Sequence, residues 1–169
     1  QAVLVTRHDN KKVNIKITEL RDNVKKNLDR MHDELLEKAK KHLAKAEHNF
    51  NGITKFKETG FSDWSMSAGF YCIYHCFLAI ASKFGYESKN QTCTISLMNY
   101  LNETNKIKLD EKYIKLLEYG EDIQEESFID LREDYTYGVQ KTIKDETKLN
   151  ELKKICKEII DITKQTIYK

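Results

Sequence analysis

Residues 63–84 read DWSMSAGFYCIYHCFLAIASKF, and this stretch decides the fold. It is almost continuously apolar and far longer than the roughly four to eight residues of a typical strand, so it indicates a helix that is buried on most sides. Gly85 follows directly, and glycine commonly ends a helix because it adopts the left-handed conformation without strain. We therefore predict a core helix from Asp63 to Phe84.

This run is the one membrane candidate in the sequence, and we predict that it is a soluble core helix instead. From Trp64 to Ala81 it falls short of the about 20 apolar residues that span a bilayer, and it contains Ser65, Ser67 and His75. The first twelve residues lack the apolar segment and small-residue cleavage site of a signal peptide. The four cysteines show no small-loop spacing of the kind found in secreted scaffolds, which predicts a reduced, cytoplasmic protein.

The composition also favours helices. The 169 residues are 40% hydrophobic, enough for one domain with a real core, and the chain has no Pro and only six Gly to break helices. Lys and Arg number 29 against 27 for Asp and Glu, so the overall charge neither favours nor excludes a polyanionic partner.

Four further helices follow from the spacing of apolar residues. A long first helix has apolar residues at steps of three and four from Leu20 to Phe50 and ends at Asn51 and Gly52. The others are predicted by a capping box of Ser88 and Gln91, by a start at Asp110 that continues towards Tyr135, and by an apolar stripe within 145–168. Short turns between them predict an all-α, up-and-down bundle of four or five helices.

The N-terminal residues show a different pattern. Val3 and Val5 precede a His8–Asn10 turn, and apolar residues alternate again from Val13 to Ile17, which predicts a short hairpin or an extended arm. An isolated hairpin is marginal in water, so it would have to pack on the domain or on a second subunit. The predicted organisation is an arm at residues 1–17 and a helical domain at residues 18–169.

The sequence YCIYHC within the core helix raises the question of a metal site. Cys72 and Cys76 are four residues apart, but a zinc site needs two more converging ligands and no motif spaces them. Buried cysteine behaves as a small apolar residue, so we assign both to the core and predict no metal and no cofactor. Tyr71 and His75 belong instead to a polar stripe that should face a partner surface or a cleft: Trp64, Ser67, Tyr71, His75 and Ser82.

Arg132 is the second unusual residue. It is the one basic side chain between Glu118 and Asp134, a segment with eight acidic residues. An arginine among carboxylates is either an ion-pair anchor or a functional cation in a cleft. The lysine-rich segment KAKKHLAKAEH of the first helix is likewise either a solvated face or a phosphate-binding surface.

These segments together resemble HEPN-domain proteins, a helical family of prokaryotic toxins, antiviral nucleases and non-catalytic relatives. The resemblance covers about residues 30–168. It rests on three short motifs, none diagnostic alone, that occur in the family's order and spacing. They are the Tyr-rich helix with its histidine, the Gly-Tyr-x-Ser-Lys turn, and an arginine before a Tyr-Gly helix end, carried here by Trp64, Tyr71, Tyr74, His75, Gly85, Tyr86, Ser88, Lys89, Arg132, Tyr137 and Gly138.

The resemblance implies a homodimer with a cleft at the subunit interface that binds RNA or nucleotide. Many members are metal-independent ribonucleases that use an arginine followed after four to six residues by a histidine. This sequence lacks that motif, because no histidine follows His75 anywhere in the chain. Some members have a nucleotidyltransferase partner that attaches AMP to a nearby tyrosine, which makes Tyr137 and Tyr135 the acceptor candidates.

Three functional hypotheses remain open from the sequence. The first is a HEPN dimer of a toxin–antitoxin or defence system that binds nucleotide or RNA without efficient cleavage, through Arg132, Lys89, Tyr71, His75 and Tyr137. The second is a ribonuclease toxin that uses Arg132 with His75 or Tyr137. The third is a helical scaffold whose long first helix and arm build an assembly.

Overall fold

The computed structural model describes residues 10–118, 128–139, 141–143 and 146–169, with the side chains of residues 10–17 and 128–129 left out of the description. Within these ranges the chain is helical and contains no strand. The predicted all-α bundle is therefore confirmed. Its helices are α1 (Asn10–Glu58), α2 (Asp63–Lys83), α3 (Gln91–Glu103), α4 (Glu111–Lys115), α5 (Phe128–Tyr137) and α6 (Glu146–Ile167).

Helix α1 is longer at both ends than its sequence pattern predicted. Residues 10–17 are its first two turns, so the predicted second strand of the N-terminal hairpin is helical, and residues 1–9 lie outside the described residues. The chain divides into two compact units, residues 1–35 and 36–169, whereas the boundary predicted at residue 17 falls inside α1. Of the first unit, the structure describes one helical segment.

The C-terminal end predicted for α1 was also wrong. Gly52 lies inside the helix, where a side chain would meet Ala68 Cβ of α2 at 3.6 Å, so glycine serves the packing of two helices there. The helix ends six residues later, where Gly60 has a φ of +86° and Phe61 N–H donates to Phe56 O at 2.8 Å. That backbone bond is the usual closure of a helix that ends in a left-handed residue.

Helix α2 is the centre of the second unit, as its sequence predicted. It packs against α6, α5 and α3, and most of its side chains are buried. Its close approach to α6 depends on Gly69, because a Cβ at this position would lie 2.5 Å from Leu152 Cδ2. The helix ends where Gly85 adopts a φ of +80° and Tyr86 N–H donates to Ala81 O, which confirms the predicted end.

Two predicted features between α2 and α6 need correction. The N-cap of α3 is Asn90, whose side chain accepts from Cys93 N–H; Gln91, the other half of the predicted capping box, donates to Leu117 O instead. The fourth predicted helix is capped by Asp110 and begins at Glu111, one residue after the predicted start, but it stops at Lys115 and a separate helix, α5, carries Arg132. Residues 119–127 between them lie outside the described residues.

The α2 helix also answers the membrane question. Among the residues that the structure describes, it is the one helix long and apolar enough to cross a bilayer, and 83% of its most apolar stretch is buried inside the protein. A core helix of a bundle has this property, because its apolar side chains contact other helices rather than solvent or lipid. No membrane role is needed to explain its composition.

Candidate functional site

The arginine singled out by the sequence packs against the central helix, α2. Arg132 of α5 places its guanidinium carbon 4.6 Å from the centre of the Phe70 ring of α2, within the range of a cation–π contact. Its side chain is only 16% exposed, and Nη2 donates to Glu133 Oε1 at 3.2 Å. Its buried Nε has no hydrogen-bond partner among the described residues.

A polar contact fixes α5 against the same face of α2. The hydroxyls of Ser67 and Thr136 are hydrogen-bonded at 2.8 Å, and Thr136 lies one turn after Arg132. Because residues four apart lie on one side of a helix, this contact helps to set where Arg132 meets Phe70. The polar stripe predicted on α2 thus has a partner at Ser67.

Aromatic rings connect Arg132 to the histidine of the core helix. Phe70 is stacked with Tyr74, with ring centres 6.1 Å apart, and Tyr74 meets His75 at 6.2 Å. Tyr71 contacts the Phe70 ring edge-on at 5.3 Å and is half exposed. The structure therefore places Arg132 of α5 against the part of α2 that carries Tyr71 and His75, with aromatic side chains between the guanidinium and the imidazole.

His75 is paired with a second histidine. Its Nδ1 lies 3.1 Å from Nδ1 of His42 on α1, and the two rings are stacked at 29° with centres 5.4 Å apart. At this distance one nitrogen donates a proton and the other accepts it, so at least one imidazole must be neutral. The pair lies in the second unit and joins α1 to α2 where the rings are half buried.

Both histidines are held in the neutral form at physiological pH. Burial lowers the pKa of His75 to about 4, with further contributions from His42 and Lys45. Burial and then Lys38 also lower the pKa of His42. A neutral imidazole at pH 7 accepts protons, so the pair has the protonation state of a general base, although its pKa lies below the optimum for that role.

The two tyrosines proposed as AMP acceptors differ in accessibility. Tyr137 is 78% exposed at the end of α5, whereas Tyr135 is half buried and packs against the core. Of these two tyrosines, Tyr137 is therefore the more accessible. Gly138 follows it and ends the helix with a bond from its N–H to Asp134 O.

Lys89 does not join this group. It is exposed in the segment between α2 and α3, close to Glu87, which forms an ion pair with Lys38 of α1. From Phe70 to the end of α2 at Lys83 is roughly 20 Å at 1.5 Å per residue. Lys89 follows the C-terminal end of α2, whereas Arg132 contacts the N-terminal half of this helix at Phe70.

The cysteines of YCIYHC belong to the core. Cys72 and Cys76 are fully buried, and a hydrogen bond with Cys156 followed by burial raises the pKa of Cys72 far above its ordinary value. Hydrogen bonding to Cys72 and burial likewise raise the pKa of Cys76, so these sulfurs remain thiols. In the described ranges no three His, Cys, Asp or Glu side chains converge as metal ligands.

His42 and Thr136 are the site residues that sequence reasoning missed. His42 is one of three histidines on α1, and periodicity alone did not show which of them meets α2. A usable signal existed, because His42 stands three residues after Ala39 and four before Ala46, both fully buried. Thr136 carried no comparable signal.

The fold and this site define a class: an all-α bundle whose central helix presents aromatic and histidine side chains to an arginine from a later helix. The comparison with protein families identifies the family within this class. The model of the HEPN domain matches residues 32–166, which is most of the chain, so the chain belongs to the HEPN family. HEPN domains are known in ribonuclease toxins and defence systems. A comparison with curated proteins finds no match.

Proposed function

We propose that this protein is a non-canonical HEPN protein that binds RNA or nucleotide phosphate at a homodimer cleft without efficient cleavage. The observation that carries the proposal is the incompletely paired guanidinium of Arg132, held against Phe70 of the central helix. A guanidinium presents a planar fork of donors that matches phosphate, and neighbouring aromatic rings provide faces on which a base can stack. We assign the protein to the cytoplasm, in a toxin–antitoxin or defence system.

A ligand group would complete the hydrogen bonding of Arg132. Among the described residues it forms an ion pair with the adjacent Glu133, and this carboxylate cannot satisfy all five donors of a guanidinium. Tyr71 stands exposed beside it, and His75 lies one turn further along α2. A second subunit facing this surface would place two such sets on either side of one cleft, as isologous symmetry requires.

Cleavage is the second candidate, and the His42–His75 pair favours it. Attack by a ribose 2′-hydroxyl needs a general base, and the chain has no histidine after Arg132 to supply one. The neutral imidazoles at 3.1 Å are the nearest substitute that the described residues offer. Arg132 would then stabilise the charge on the phosphate rather than only hold it.

A nucleotidyltransferase antitoxin is the proposed partner if the protein is toxic. Its target would be Tyr137, whose phenol is exposed and lies five residues after Arg132. An AMP group there would add negative charge to the helix that carries the arginine and oppose the binding of a phosphate ligand. Mass spectrometry of the protein after incubation with such a partner and ATP would detect the added AMP.

The deciding experiment measures RNA binding and RNA cleavage on the same samples in EDTA. Wild type, Arg132→Gln, Arg132→Lys and the control Lys141→Gln are compared at two salt concentrations. Lys141 is an exposed cation close in sequence, so its removal matches the charge change without touching Phe70. Binding that weakens with salt and is lost in Arg132→Gln alone supports the proposal, because phosphate contacts release counterions.

Other outcomes separate the alternatives. RNA cleavage by wild type that disappears in Arg132→Gln establishes the nuclease, and His75→Gln and His42→Gln then identify its base. Equal binding by wild type and both Arg132 variants contradicts a site at Arg132. A wild-type protein that stays monomeric at micromolar concentration refutes the dimer cleft.

A further inference from the structure

Tyr71 is an exposed residue of α2 between the two helices that flank the candidate site. Helix α5 contacts one side of α2 at Ser67 and Phe70, and α1 contacts the other side at His75. Tyr71 follows Phe70 and lies one turn before His75, so it stands between these two lines of contact. Its side chain is 46% exposed and offers an aromatic face on which a nucleobase can stack.

A cation borders this tyrosine from the side of α1. Lys45 lies three residues after His42, whose ring meets His75 of α2. Burial, His42 and then the charge of Lys45 lower the pKa of His75, so the ammonium group is close to that ring. Lys45 is exposed and forms no ion pair with a described residue, which leaves its charge available to a ligand.

The direction of α1 places Lys45 beside the correct turn of α2. A side chain at Gly52 would meet Ala68 Cβ, whereas His42, ten residues earlier, meets His75. Helix α1 therefore runs antiparallel to α2 here, and the residues that follow His42 lie beside the turn of α2 that precedes His75. That turn carries the exposed tyrosine.

Arg132 borders Tyr71 from the opposite side. Its guanidinium carbon is 4.6 Å from the centre of the Phe70 ring, and the Phe70 ring is 5.3 Å from the Tyr71 ring. Tyr71 thus stands between two cations, Arg132 of α5 and Lys45 of α1. A single nucleic-acid strand presents its groups in the same order, because each base inside the strand is attached between two phosphates.

We propose that the ligand is single-stranded RNA, with one base stacked on Tyr71 and the two phosphates that flank this base held by Arg132 and Lys45. This subsite rests on the proposed function, since it shares Arg132 with it, and adds Tyr71 and Lys45 on the α1 side. All three residues lie in the second unit of one chain.

The arrangement distinguishes a strand from other nucleic-acid ligands. A mononucleotide with one phosphate group can reach only one of the two cations at a time. A duplex keeps the faces of its bases stacked on their neighbours, whereas an unpaired base is free to stack on a tyrosine. Both ligands should therefore bind more weakly than a single strand.

The first test measures stacking by fluorescence anisotropy with a short labelled oligouridylate, alone and annealed to its complement. Tyr71→Leu should weaken binding of the single strand at least about fivefold, the lower end of what one base stacked on an aromatic ring contributes. Tyr71→Phe keeps the ring and should retain the affinity. Tyr100→Leu is the matched control, because Tyr100 of α3 is a tyrosine with the same exposed fraction.

The second test measures the phosphate contact of Lys45 through its salt dependence. Lys45→Gln should reduce the slope of log affinity against log salt concentration by about 0.7, the value for one phosphate contact on a single strand. Lys55→Gln is the control: Lys55 is an exposed cation of α1 two residues after the buried Ile53, so it lies on the side of the helix that faces away from the core.

Two short competitors show whether the cations act on one strand. The trinucleotide UpUpU has a phosphate on each side of its middle base, whereas the dinucleotide UpU has a single phosphate. UpUpU should displace the labelled strand from wild type and Lys55→Gln at a lower concentration than UpU. This advantage should be lost in Lys45→Gln, because the second phosphate then has no cation to bind.

The results separate this subsite from the site on which it rests. Circular dichroism first checks that every variant keeps the wild-type helix content. Tyr71→Leu or Lys45→Gln that binds the strand like its control overturns the subsite, as does equal affinity for single strand and duplex. Loss of binding in Arg132→Gln would still support the proposed function in that case. Wild-type protein that binds no RNA refutes the proposed function itself.

Discussion

Acidification should destabilise the protein through His75 well before its carboxylates are protonated. The pKa of His75 is lowered from the ordinary 6.5 to about 4, first by burial and then by His42 and Lys45. An imidazole with a lower pKa in the folded state binds fewer protons folded than unfolded. Its contribution to stability is therefore complete above pH 6.5, declines as the pH falls towards 4, and changes no further below that.

The size of the effect follows from these two values. At pH 5 an unfolded imidazole is largely protonated and the folded His75 is largely neutral. Without solvent screening, the free energy of unfolding at pH 5 is therefore lower than at pH 7.5 by about 2 kcal/mol. The ring is only half buried, and solvent screening reduces the value to about 1 kcal/mol. His42 is coupled to it across 3.1 Å, so the two rings titrate as a pair rather than singly.

Urea unfolding of wild type and His75→Gln at pH 7.5, 6.0 and 5.0 measures this contribution. The wild-type free energy of unfolding should fall by about 1 kcal/mol more than that of the variant over this range. His48→Gln is the matched control, because His48 is an exposed histidine on α1, the helix that carries His42. If wild type and His75→Gln lose stability in parallel, His75 is not held neutral and our account of the pair is wrong.

Three further substitutions test the contacts that position the site. Gly69→Ala should destabilise by up to about 2 kcal/mol in thermal unfolding, because the overlap of its methyl group with Leu152 outweighs the gain of about 1 kcal/mol from the higher helix propensity of alanine. A variant that is about 1 kcal/mol more stable than wild type would show instead that the two helices separate freely. Ser67→Ala should lower the free energy of unfolding by about 1 kcal/mol, because it removes the hydrogen bond to Thr136. The pair is verified if Thr136→Val loses a similar amount and the double variant loses less than the sum of the two single losses. Asn90→Ala should cost about 1 kcal/mol through the lost cap of α3, whereas Asn90→Asp should retain most of the stability, both measured in urea.

The sequence predicted the parts of the fold that depend on local patterns. The continuous apolar run predicted α2 to within a residue of its bounds, and the apolar stripe predicted α6. Both predictions succeeded because the spacing of apolar residues along the sequence shows whether a helix is buried on one side or on all sides. Local patterns failed where packing overrode them. Gly52 was predicted to end α1, yet it lies inside the helix against Ala68.

The candidate site shows the same division. Arg132 and His75 stood out in sequence because each is a polar exception in its segment, but their separation along the chain says nothing of their separation in space. Only the packing of α5 and α1 on α2 placed Arg132 over Phe70 and His42 against His75. It also separated Lys89 from Arg132, since roughly 20 Å of helix α2 lies between Phe70 and Lys83.

The sequence by itself therefore determined that this chain forms a helical bundle around residues 63–83 and that it lacks a histidine after Arg132. The tertiary structure decided which of its histidines are paired and which tyrosine is accessible. The physical reason is that helix formation and burial follow from neighbours three and four residues apart, whereas a site follows from contacts between helices. Such contacts depend on single positions such as Gly69, where the absence of a side chain lets two helices approach closely.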